Sequence, residues 1–153
     1  MLFRKKVQEQ VVGAIATIPT AFTKNYKVDY QQMYDATQVW IESGLVAGKS
    51  VIKAVAAMGE GPQLTETEWI TVIETVVKAS KNKVPVMAAI HYKDTVRTIQ
   101  DANKAADVGT IALQISPPVF NQPTQDGILR YFEAVSNNIN TGVLIYNTHW
   151  LTH

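Results

Sequence analysis

A chain of 153 residues with 46% hydrophobic content is long enough to bury the core of one ordinary domain. Its 14 basic and 13 acidic residues are interspersed and leave a net charge of +1, so charge gives no reason to expect nucleic acid or a membrane surface as partner. The absence of cysteine excludes a disulfide framework and thiolate chemistry, and a reducing, cytoplasmic location is expected.

The opening "MLFRKK" ahead of the apolar "VVGAIATI" has the outline of a signal peptide. Gln8, Glu9 and Gln10 intervene and no small-residue cleavage site follows, so a leader is not expected. No apolar run approaches the ~20 residues needed to span a bilayer, and a soluble protein is expected.

Short apolar runs bounded by turn residues predict strands at "VVGAIATI", "SVIKAVAAM", "VPVMAAI", "TIALQIS" and "GVLIYN". Between the first two, Tyr30, Met33, Tyr34, Thr37 and Ile41 form one helical stripe, entered at Asp29 and closed by Gly44. Trp69, Val72, Ile73, Val76 and Val77 predict the next helix, with Thr65 and Glu68 as its capping box. A third helix places Val96, Ile99 and Ala106 on its buried face behind a cap at Asp94. A fourth places Ile128, Leu129, Phe132 and Val135 behind Thr124 or Asp126. Strand and helix alternate throughout, which is the signature of an α/β fold with a parallel sheet and right-handed crossovers.

Two architectures fit this alternation. A five-stranded doubly wound sheet would be complete at this length, whereas a (β/α)8 barrel needs about 250 residues. Length favours the first, but neither a Gly-x-Gly-x-x-Gly turn nor a P-loop follows a strand. In either case the loops at the carboxyl ends of the strands gather on one side. That side collects "PTAF", "AAMGEGPQ", "AIHYKD", "SPPVFNQPTQDG" and "YNTHWLTH", while the opposite loops are plainer.

His91 and His149 end the third and fifth strands on that side and could serve as acid, base or carboxylate partner, since imidazole titrates near neutrality. Equally, each could be an ordinary loop histidine. A zinc site built on His149 and His153 lacks an intervening Glu and a third ligand at a telling spacing, so no metal is expected. Lys53 sits within the apolar second strand, where burial could make its amine nucleophilic. The more ordinary expectation is that its stem carries the ammonium past the helices to water. Glu60, ahead of a helix, is expected to bond free backbone donors rather than to act in catalysis.

"TAF", "MGEGPQLTETEW", "PPVFNQPTQDGILRYF" and "LIYN", in this order and spacing, resemble the dihydrodipicolinate synthase and N-acetylneuraminate lyase family from about Gly13 onward. The resemblance implies a (β/α)8 TIM barrel, of which residues 1–153 form a single, incomplete domain supplying about the first five strands and four helices. It also implies a lyase or aldolase that attaches pyruvate or another 2-oxo acid through a lysine Schiff base, without a separate cofactor, in a homo-oligomer that is usually a tetramer. The family's imine lysine lies on the sixth strand, beyond His153.

By the same resemblance Tyr146 is the proton-transfer residue beside the imine and Ala57, Met58 and Gly59 meet substrate; His91 and His149 are expected to contact it from their position at the strand ends alone. The family's Gly-Thr-Thr-Gly-Glu is here Ala56, Ala57, Met58, Gly59, Glu60, so the hydroxyls that bind a carboxylate are lost. Its second tyrosine is replaced in Pro118, Val119, Phe120, Asn121, and its proline and arginine after "YN" give way to Thr148, His149, Trp150 and Leu151. Dihydrodipicolinate synthesis itself is therefore not expected. The competing expectations are an inactive half-barrel that serves assembly, or the complete doubly wound binding domain.

Overall fold

The computed structural model describes residues 2–118 and 123–147. Five strands, β1 (Ala14–Thr17), β2 (Ser50–Ala54), β3 (Val86–Ile90), β4 (Ala112–Ile115) and β5 (Gly142–Ile145), lie in one sheet in sequence order. Every neighbouring pair is parallel. Between them run α2 (Tyr30–Glu42), α3 (Glu66–Ser80), α4 (Thr95–Asp107) and α5 (Gln125–Asn137), and α1 (Leu2–Gln10) precedes the sheet.

Side chains along a strand alternate between the two faces. Ile52, Ala54, Val86, Ala88, Ile90, Leu113 and Ile115 join one buried cluster with Met33 and Ile41 of α2, Val72, Ile73 and Val76 of α3, Ala102 and Ala105 of α4, and Tyr131 and Val135 of α5. All four crossover helices therefore cover the same face. That arrangement, with a strand order that never reverses, overturns the doubly wound alternative, which requires helices on both faces and a switch point. It is the winding of a barrel wall.

The helices begin where short polar side chains can satisfy free backbone donors. Asp29 accepts from the Gln32 N–H, Asp94 from Arg97 and Thr124 from Gly127, while Thr65 and Glu68 form the expected capping box. The buried face of α4 differs from expectation. Val96 is exposed, and Thr98, Asp101, Ala102 and Ala105 are buried instead. The helix lies close to its neighbours through small residues, with Thr98 Oγ1 3.0 Å from the Tyr131 hydroxyl and Asp101 facing Lys93, Arg97 and Lys104. Leu129 of α5, expected inside, is also exposed.

The α1 helix has no counterpart among the expected elements. Its Val7 packs with Val51, Met87 and Ala112 on the sheet face opposite α2–α5, near the amino ends of the strands. No helix among the described residues is long and apolar enough to cross a membrane.

Candidate active site

The strands β3, β4 and β5 end on Ile90, Ile115 and Ile145, which stand in register across the sheet. Each isoleucine is followed by a polar residue, respectively His91, Ser116 and Tyr146. Because Ile90 and Ile115 belong to the helix-side core, strand alternation turns the next residues to the opposite face. The row is held by Ser116 N–H donating to the Ile90 carbonyl at 3.1 Å and Tyr146 N–H donating to the Ile115 carbonyl at 2.8 Å.

The His91 and Tyr146 rings meet edge to face, with centroids 5.6 Å apart. Lys53 joins them from β2. Its Nζ donates to Gln114 Oε1 at 2.7 Å and lies 5.9 Å from the centre of the Tyr146 ring. The expectation that Lys53 runs past the helices to water is thus corrected: Ile52 and Ala54 take the helix-side positions, so alternation sends Lys53 to the other face.

This environment shifts both bases. Burial disfavours the charged form of Lys53 and lowers its pKa. Burial, and then the positive charge of Lys53, push His91 down to about 4, so its imidazole is neutral near pH 7. Neither His91 ring nitrogen has a hydrogen-bond partner among the described residues, and the Ser116 hydroxyl also lacks one. The cluster offers a phenol, a neutral imidazole and an amine with a lowered pKa, the groups that proton transfer or carbonyl chemistry employs.

Two residues next to the cluster have left-handed backbone: Val55 just past β2 (φ 50) and Tyr92 just past β3 (φ 57). For a β-branched residue this conformation is strained, at a cost of ~1–3 kcal/mol, and such strain collects at functional loops. Gly61 makes the Val55 bend possible, since a Cβ there would overlap the Val55 carbonyl.

Ala57–Gly59 forms a single 3-10 turn at the carboxyl end of β2. Its Gly59 carbonyl accepts from Thr20 Oγ1 at 2.6 Å, which ties the "PTAF" loop to it. Met58 is exposed and Ala57 half-buried, and the contacts that join His91, Lys53 and Tyr146 do not include Ala57, Met58 or Gly59. Glu60 is exposed with φ 58 and makes no side-chain cap bond, contrary to expectation; Thr65 and Glu68 satisfy the helix donors instead. His149, His153, Val119, Phe120, Asn121, Thr148, Trp150 and Leu151 lie outside the described residues.

A cavity of about 200 Å³ opens on the helix side of this row, between Gly61, Pro62, Trp69, Tyr92 and Lys93, and shares His91. Lys53 and Tyr146 do not line it. The residues that sequence reasoning passed over are Gln114 and Ser116. Their signal was the placement of two polar residues two apart at the end of "IALQIS", hence on one face of the strand.

The sequence pattern of the dihydrodipicolinate synthetase family matches residues 10–153. The chain is 33% identical over 135 residues to 4-hydroxy-tetrahydrodipicolinate synthase of Methanococcus maripaludis, covering 88% of this chain and 45% of that protein. A crystal structure of dihydrodipicolinate synthase, 33% identical, superposes with a TM-score of 0.82 over 92% of this chain and 47% of that one. The chloride-inhibited dihydrodipicolinate synthase of Acinetobacter baumannii, solved with pyruvate, is 26% identical with a TM-score of 0.83, over 94% and 47% of the two chains. The chain spans about half the length of the curated relatives it matches.

Proposed function

This chain belongs to the dihydrodipicolinate synthetase family, and we propose that it is the amino-terminal part of a lyase or aldolase acting on pyruvate or another 2-oxo acid through a lysine Schiff base. Residues 1–153 are read as one incomplete TIM-barrel domain, with the imine lysine contributed by a strand beyond them. The observation that carries the reading is the convergence of His91, Lys53 and Tyr146 at the carboxyl ends of parallel strands, where barrel enzymes hold their substrates.

In this reading Tyr146 moves protons at the carbon next to the imine, while His91 and His149 orient the substrate. Ala57, Met58 and Gly59 form the loop segment that meets it. The name carried by the relatives points to dihydrodipicolinate synthesis itself. A methyl and a thioether at positions 57 and 58 point away from it, because they cannot give a carboxylate the hydrogen bonds that two hydroxyls would. The protein is proposed to be cytoplasmic and to assemble as a homo-oligomer.

The test is the intact mass of the protein purified from its source, before and after borohydride reduction in the presence of pyruvate. A stable adduct on a chain longer than 153 residues is expected. Full reduction conditions without an adduct, using either pyruvate or a longer 2-oxo acid, would overturn the Schiff-base reading.

A second reading, an inactive half-barrel used for assembly, is favoured by one observation. Beside β5 lies a cavity of about 630 Å³ lined by Val11, Leu129, Phe132, Leu144 and Ile145. An apolar strand edge of this kind invites pairing.

A further inference from the structure

We infer that Lys53, His91 and Ser116 together form a binding site for the carboxylate of a small monoanionic acid on the face of the sheet away from α2–α5. The inference rests on the proposed 2-oxo acid reading for the identity of the acid, and on the following geometry for the site.

Lys53 carries the single charge in the cluster, and among the described residues its ammonium pairs with no carboxylate. Its one hydrogen-bond partner is the neutral Gln114 amide oxygen at 2.7 Å. That bond fixes the ammonium and leaves other N–H donors free. His91 is 6% exposed and Ser116 is 2% exposed, and among the described residues neither His91 ring nitrogen nor the Ser116 hydroxyl has a hydrogen-bond partner. Their backbones are adjacent, joined by the Ser116 N–H bond to Ile90. The Tyr146 ring contacts both Lys53 and His91, which brings the lysine and histidine to a common neighbour.

Buried polar groups are normally satisfied, and leaving one without a partner costs on the order of 1–3 kcal/mol. Two such residues beside an uncompensated cation make a site that is complete only with an acceptor. The neutral imidazole can donate one N–H, the serine hydroxyl a second hydrogen bond, and the ammonium a third together with its charge. A carboxylate supplies two acceptor oxygens and one negative charge, matching the single ammonium. Binding would draw the His91 titration upward, because a nearby anion favours imidazolium.

The probe is acetate, followed through the His91 imidazole signals by NMR at constant ionic strength, with chloride as the competing anion. The protein is used as purified from its source. Saturable binding is expected, with an upward move of the His91 titration midpoint, at least tenfold weaker binding in Lys53→Met and a smaller loss in Ser116→Ala. Lys53→Met keeps the length of the side chain and removes its charge, so it should fold, and thermal unfolding of the variant checks that it does. Unchanged acetate affinity in folded Lys53→Met would overturn the site, as would a non-saturable response. Equal affinity for chloride would overturn the carboxylate class. Acetate has no keto group and forms no imine, so its binding without any borohydride adduct from pyruvate would sink the Schiff-base reading and leave this site standing. Trapped pyruvate without acetate binding would do the reverse.

Discussion

His91 folds into a place that only its neutral form tolerates. In the unfolded chain His91 takes up a proton near the ordinary imidazole value of 6.5, whereas in the folded chain it does so only at about 4, because burial and the charge of Lys53 oppose it. His91 therefore contributes stability that is fully present above pH 6.5 and is lost as pH falls towards 4, by at most ~1.4 kcal/mol per pH unit for one proton. Denaturant unfolding across that window should show a shallower acid limb in His91→Gln than in the parent. Parallel limbs would show that another group governs the decline. Tyr146 is tested at the same scale. If it moves a proton in the chemical step, Tyr146→Phe should lower kcat by ~10²-fold or more, in the range expected for general acid–base groups, while pyruvate is still trapped by borohydride. An unchanged kcat would return Tyr146 to the status of a packing residue. His91 was singled out as a polar residue at the end of an apolar run, and Tyr146 only through the family resemblance of "LIYN". Gln114 and Ser116 carried a signal only as two polar residues on one strand face; that this face meets Lys53 and His91 depends on the register between strands, which is a tertiary property.

The elements divide according to how their burial is achieved. Helices α2 and α3 bury large side chains at regular spacing, and their stripes and caps were readable residue by residue. Helix α4 instead buries Thr98, Ala102 and Ala105, small residues that a search for large apolar side chains passes over, so Val96 was wrongly placed on its inward face while Ile99 does pack against the core. Helix α1 was missed for a related reason: among its described side chains it presents only Val7 to the sheet, beside polar Gln8, Glu9 and Gln10. Yet Val7 closes a cluster with Val51, Met87 and Ala112 that covers the amino ends of the central strands. Val7→Ala should lower stability by ~1–2 kcal/mol, the range for losing two buried methyls, with a drop in denaturant midpoint. Val7→Asp should cost more, since it would place an unpaired carboxylate in an apolar cluster. If both variants unfold like the parent, α1 is a loosely attached segment and its packing contributes nothing.

At the scale of the whole molecule, the alternation of elements settled the α/β class from sequence and the family resemblance pointed to a barrel, but alternation and length by themselves left a doubly wound sheet open until it was known which face each helix covers. Composition cannot decide that. Only the strand order β1-β2-β3-β4-β5, with every crossover helix on one face, does so. The same order leaves β1 and β5 each paired on one side only among the described residues. Around β5, Ile145 and Leu129 are 60% and 59% exposed at the mouth of the apolar cavity, and Ile15 on β1 is 42% exposed. Two open parallel edges with exposed apolar side chains favour association over a dispersed monomer. Produced by themselves, the 153 residues should therefore sediment above 16.9 kDa, with a concentration-dependent mass. Ile145→Lys combined with Leu129→Lys should shift the distribution towards monomer, because two ammonium groups at the edge are costly to desolvate against a second apolar face. A wild-type chain that stays at 16.9 kDa across the concentration range would mean that this edge is satisfied within one copy, and the assembly reading would then have no surface to act through.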